Sequence, residues 1–274
     1  MRYLISIFAL FFLIGCGGGG GGSYYIDKDR VENISKSILK ELTLSPANSN
    51  VELRDGSFSK NLIWQVREFI KEMNSFKSRD LTRECDSGYI EEHSLEDGKK
   101  EVIYHSCKRG DTIYDGKVET LIKGDDIYLE FFNFSITKMG YLSQLRAAKV
   151  EYLDNGNRLK TYFIDSSYKN GDFWGYYRNF SVDINNLNDD ISEIILNGEF
   201  KNSCFSDWIR VNTTNKFEVE ILDEGVNTIY NGALDFSQKE IYGEVIIEDN
   251  FVTIDYNEGI IEKDSFKEFV KNCK

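Results

Sequence analysis

Ile127-Tyr128-Leu129-Glu130-Phe131, then Asn155-Gly156, then Lys160-Thr161-Tyr162-Phe163-Ile164: this succession of β-branched and aromatic runs about a turn-forming pair decides the fold class. Such runs favour a pleated, half-buried surface, and Asn-Gly tolerates the positive φ of a tight hairpin. The same grammar extends outward in both directions. Glu101-Val102-Ile103-Tyr104, Phe217-Glu218-Val219-Glu220-Ile221 and Val245-Ile246-Ile247 have strand composition. Asp97-Gly98, Asp115-Gly116, Asn170-Gly171, Asn197-Gly198 and Asn231-Gly232 read as further hairpin turns. The expectation is an antiparallel meander of about ten or more strands, with long strands and short turns, forming a curved sheet or a partly open barrel.

Before this region the periodicity changes. Val31, Ile34, Ile38, Leu39 and Leu42 recur at three and four residues, as do Leu62, Ile63, Val66, Phe69, Ile70 and Met73. That spacing predicts amphipathic helices over 30–43 and 60–77, with the single proline, Pro46, in the loop between them. Near the other end, Asp264-Ser265 precedes Phe266, Phe269 and Val270, a short capped helix. The fold class expected is therefore α+β and mainly β: a helical segment over 24–80, then an antiparallel β domain over 81–274 that closes with the C-terminal helix.

The first residues are a targeting region, set apart from the fold. Met1-Arg2 is cationic and Tyr3 to Ile14 is apolar, shorter than the roughly 20 residues a membrane-spanning helix needs. Leu13-Ile14-Gly15-Cys16 resembles the lipobox of bacterial lipoproteins at all of its positions. The resemblance implies removal of residues 1–15, a diacylglyceryl thioether on Cys16 and further acylation of the new amine, palmitate-type chains that hold the protein to a membrane. The competing reading is an ordinary signal peptide with a chance cysteine. Gly17 to Gly22 and Ser23 complete a tether over 16–23, with a reach of about 15 Å. No Asp follows Cys16, so the lipoprotein resemblance implies the outer membrane, on its periplasmic face or at the cell surface.

Composition narrows the partners. Aromatic residues make up 14% and charged residues 29%, enough apolar bulk for a packed core. The net charge of −13, one unit more negative once Arg2 is removed, argues against nucleic acid or a bare anionic surface. Besides Cys16 there are four cysteines, Cys85, Cys107, Cys204 and Cys273. An even number in an exported chain suggests two disulfides. Cys85 and Cys107 flank an expected hairpin and are paired with each other, leaving Cys204 for Cys273, although four cysteines allow three connectivities. Zinc held by the four thiolates is the rival, but no CxxC pair is present.

Chemistry-bearing residues are sparse. His93 and His105 lie on the two sides of the Cys85–Cys107 hairpin, with Glu91 and Glu92 near, and only the register decides whether they are neighbours. No Gly-x-Ser-x-Gly elbow exists, the glycines at 17–22 have no phosphate-loop context, and the acidic run Asp183 to Asp190 lacks the glycine and fifth-position ligand of an EF-hand. No catalytic residue, metal or cofactor is assigned. The candidate ligand-binding residues are Trp174, Tyr176, Tyr177 and Trp208, since aromatic platforms bind sugars, peptides and lipid tails, while large core residues of a sheet are the bland alternative. A cysteine, a polar turn and an Asp/Asn-Gly pair recur at 85–118 and 202–234. That echo loosely resembles β-rich proteobacterial envelope lipoproteins of uncharacterised function. The reading is a membrane-anchored, non-enzymatic binding or structural protein of the envelope, with an unknown envelope protein or surface molecule as partner. Its alternative is a carrier holding a lipid or acyl chain in a curved sheet, as in the half-barrel fold of periplasmic lipoprotein carriers.

Overall fold

A computed structural model of the chain describes residues 26–42, 62–75, 85–138, 141–170, 173–187, 189–222 and 225–271. Cys16, the glycine run, Pro46, Gly171 and Cys273 lie outside them. Two helices come first, α1 (Lys28–Leu42) and α2 (Leu62–Ser75). Thirteen strands follow: β1 (Ser87–Ser94), β2 (Lys100–Arg109), β3 (Thr112–Lys123), β4 (Asp126–Lys138), β5 (Tyr141–Leu153), β6 (Arg158–Asn170), β7 (Phe173–Asn185), β8 (Ser192–Asn202), β9 (Phe205–Leu222), β10 (Gly225–Gln238), β11 (Ile241–Glu248), β12 (Phe251–Tyr256) and β13 (Gly259–Lys263). A last helix, α3 (Phe266–Lys271), closes the described chain. The fold is thus mainly β. Every strand pairs antiparallel with its sequence neighbours in one sheet, and β1 and β13 are its two edges, so the sheet stays open and does not close into a barrel.

One face of this sheet is the core. Val102 of β2, Val118 of β3, Phe163 of β6, Val182 of β7, Phe217 of β9, Val252 of β12 and Ile261 of β13 belong to a single buried cluster with all three helices. Thirteen strands laid flat would be about 60 Å wide, whereas a helix covers only about 10 Å. Two long helices can bury that whole face only if the sheet curls around them. Asp27 starts α1 by accepting the Asp29 N–H on its Oδ1 at 3.0 Å, and Val31, Ile34, Ile38, Leu39 and Leu42 are all fully buried. From α2, the Phe69 ring sits 5.1 to 6.0 Å from the rings of Tyr104, Tyr114, Phe131 and Phe134.

The curl has a local cause that the turn signals concealed. In β4 the buried positions run Ile127, Leu129, Phe131 and then Phe134, Ile136, a change of phase at Asn133, whose φ is +47°. Opposite it in β3 lies Gly116, where a Cβ would stand 2.3 Å from the Asn133 carbonyl oxygen. The same device pairs Gly88 with Ser106 (φ +49°) between β1 and β2, and Gly198 with Asn179 (φ +47°) between β7 and β8. Register shifts also fall between Leu145 and Ala147 where β5 meets β6. These β-bulges sit at matching levels on consecutive strands and form a crease across the sheet; each adds a residue to one strand and bends it. Asp115-Gly116, Asn197-Gly198 and Asn231-Gly232 are therefore not hairpin turns. All three lie inside strands, at or next to register shifts. Asp97-Gly98 and Asn155-Gly156 do make turns, while other reversals use Gly110-Asp111, Gly124-Asp125 and Asp249-Asn250.

Cys85 and Cys107 are bonded, with Cα atoms 5.2 Å apart, so the segment before β1 is stapled to β2. Cys204, in the turn between β8 and β9, is also disulfide-bonded. Its expected partner, Cys273, falls outside the described residues.

Candidate functional site

Alternation along β7 divides the predicted aromatic cluster between two faces. Trp174, Tyr176 and Arg178 point outward, while Gly175 and Tyr177 point into the core. On the outer face, Tyr176 lies opposite Lys201 of β8, and Glu199 pairs with both Arg178 of β7 and Arg210 of β9. Trp208 of β9 completes the group. The rings of Trp174 and Tyr176 meet edge to face at 5.5 Å. The Arg178 guanidinium is 4.5 Å from the Trp208 ring, and the Lys201 ammonium is 5.2 Å from the rings of both Tyr176 and Trp208. Tyr176 remains 40% exposed, so this is an accessible platform.

Glu199 braces the platform from one side. Its Oε1 accepts from Arg210 Nη2 at 2.6 Å, and its Oε2 accepts from Arg178 Nε at 2.8 Å and also from Arg178 Nη2. The Arg210 bonds, then those from Arg178, hold the Glu199 carboxyl below its ordinary range against the opposing effect of burial. Arg178, Glu199, Lys201 and Arg210 were missed from sequence. Arg178 and Arg210 share the parity of Tyr176 and Trp208 two residues away, while the places of Glu199 and Lys201 were hidden because Asn197-Gly198 reads as a turn.

Tyr177 belongs to a different structure. Its hydroxyl donates to Glu41 Oε2 of α1 at 2.7 Å, deep in the core. Asn202, at the end of β8, donates through Nδ2 to Glu41 Oε1 at 2.8 Å and to the Ser37 carbonyl at 3.2 Å. Its Oδ1 accepts from Ser37 Oγ at 2.6 Å and from the Cys204 N–H at 3.0 Å. This latch fixes the C-terminal half of α1 to the sheet. Burial pushes the Glu41 carboxyl up, against the hydrogen bonds from Asn202 and Tyr177 and the charge of Lys40, while burial brings Lys40 down to about 8. Tyr141, Ser143 and Ser166, on β5 and β6, bury hydroxyls that have no hydrogen-bond partner among the described residues.

The raised Glu41 pKa has a definite sign. The folded state holds that proton more tightly than the unfolded chain, so stability falls as pH rises from the ordinary carboxyl range through the folded value. Glu41→Gln keeps the shape and removes the titration. In denaturant melts between pH 4.5 and 8, the stability of the variant relative to the parent is expected to increase with pH; a constant difference would mean that Glu41 titrates normally.

The other candidates do not assemble into sites. In the β1/β2 register His93 faces Glu101 and His105 faces Tyr89, on which it stacks at 4.3 Å. Glu91 lies between the two histidines, 3.8 Å from His93 Nε2 and 3.5 Å from His105 Nε2, and no group arranged to hold a metal occurs among the described residues. In the acidic run, Asp183 is bound to Arg158 at 2.7 Å. A cleft of about 300 Å³ beside β3–β5 is lined by Glu119, Tyr128, Glu130 and Lys149, with Lys149 paired to Glu130 at 2.8 Å. Comparison with protein-family models, curated proteins and solved structures returns no match for the chain.

Proposed function

We propose that the chain is a lipid-anchored protein of the cell envelope, held at the outer membrane through Cys16, and that it binds a partner without catalysis through the outer face of β7–β9. The observation that supports a binding role is the platform itself: Trp174, Tyr176 and Trp208 are gathered on a solvent-facing sheet surface rather than in the core. Support for the anchor comes from Leu13-Ile14-Gly15-Cys16 and the glycine run after it. No helix among the described residues is long and apolar enough to cross a membrane.

The carrier alternative needs apolar space on the concave face. Among the described residues α1 and α2 occupy that face, with Ile34, Leu39, Leu62 and Val66 all fully buried, so the binding reading is preferred. Metabolic labelling with radioactive palmitate, followed by membrane fractionation, tests the anchor. The parent is expected to carry label and sediment with membranes, and Cys16→Ala to lose the label and turn soluble or remain unprocessed. An unlabelled parent protein would refute the lipid anchor. Protease shaving of intact cells then tells which side of the membrane bears the platform.

A further inference from the structure

We infer that the platform on β7–β9 takes an anionic saccharide, a glycan bearing carboxylate or sulfate groups. The inference rests on the binding role proposed above and specifies its ligand. Charge is the first argument. The whole chain is acidic at −13, yet the platform gathers Arg178, Lys201 and Arg210 around Glu199, while Asp165 of β6, opposite Arg178, is itself paired with Arg146. Lys169 lies directly opposite Trp174 on β6 and extends the positive area. An island of positive charge on an acidic surface draws an anion to one place while the rest of the molecule repels it.

Lys201 is the second argument. Its ammonium stands between the Tyr176 and Trp208 rings, and among the described residues no carboxylate forms an ion pair with it. Two rings stabilise the cation but leave its three N–H donors available to an incoming anion. Glu199 lies beside it with its carboxylate filled by the guanidiniums of Arg178 and Arg210, which it holds in place along the platform.

Shape selects among anions. The platform lies on internal strands, whose backbone groups are already paired on both sides, so an extended peptide cannot add itself as a strand there. The surface is a sheet face rather than a pit that would receive an acyl chain. Tyr176 and Trp208 are two strands apart, about 10 Å, which suits alternate rings of a linear glycan. Pyranose rings present a C–H face to an aromatic ring and hydroxyls at their rim. Lys201, Arg178 and Arg210 would then hold the acidic substituents through charge-assisted hydrogen bonds.

The test uses the full-length protein in detergent micelles and follows tryptophan emission, to which two of the three tryptophans contribute from the platform. Four probes are titrated: polygalacturonate, neutral dextran, polyglutamate, and phosphatidylglycerol in mixed micelles. Polygalacturonate is expected to bind and to weaken with added salt, with dextran, polyglutamate and phosphatidylglycerol weaker by at least about tenfold. Lys201→Gln, a surface change that keeps the fold, is expected to weaken polygalacturonate binding about tenfold or more, and Trp208→Ala likewise. Polyglutamate or phosphatidylglycerol binding as well as polygalacturonate, and losing affinity in Lys201→Gln, would overturn the saccharide while leaving the platform intact. Absence of binding by every probe, or affinity indifferent to Lys201→Gln, would overturn both.

Discussion

Replacing Phe69 with alanine is expected to cost about 3–5 kcal/mol of folding stability, the largest loss for any single apolar truncation in the helices. The ring is 3% exposed and touches four aromatic rings on β2, β3 and β4, all within 6.0 Å. These rings come from strands that the crease bends toward α2, so the hole left by truncation has stiff walls and cannot easily collapse. A domain's whole stability is on the order of 5–15 kcal/mol, so the variant would be near the threshold of unfolding. Equilibrium denaturation in urea measures the loss directly. A cost under about 1 kcal/mol would mean that α2 does not seat its ring in this pocket.

Asn202→Ala is the second large effect, expected at about 3 kcal/mol or more. Here the loss is polar. One side chain hydrogen-bonds Glu41, both the hydroxyl and the carbonyl of Ser37, and the Cys204 N–H. Its removal leaves a buried carboxyl with Tyr177 as its remaining hydrogen-bond donor among the described residues. A double-mutant cycle with Glu41→Gln separates the Glu41 contribution, because the coupling energy vanishes if Asn202 acts only through Ser37 and the turn.

The alternation of strands was legible in the sequence, and so was the Cys85–Cys107 staple, which followed from a hairpin between them. The crease was not. An Asn-Gly or Asp-Gly pair reads the same at a hairpin and at a bulge, because both need a residue at positive φ and a glycine where backbones crowd. Hence Gly116, Gly198 and Gly232 were assigned to turns and the strands through them were cut short. The same error separated Lys201 from its aromatic neighbours. Tyr177 was grouped with Trp174 and Tyr176 by adjacency in sequence, whereas a strand sends adjacent residues to opposite faces. The latch was beyond sequence reasoning for another cause: Glu41 falls on the apolar stripe of α1, seven residues after Ile34, but its partners Tyr177 and Asn202 come from strands far along the chain, and no local pattern names them.

The meander and the latch impose opposite demands on the order of assembly. Each strand pairs only with its neighbours in sequence, so the sheet can zip up hairpin by hairpin with little loop entropy at each step. Glu41 instead waits for Tyr177 and Asn202, 136 and 161 residues later. In a chain made from its N-terminus, α1 emerges first and docks late, its apolar stripe uncovered while six or seven strands are added. The first helix of the fold to be made is therefore held back until more than half of the sheet exists.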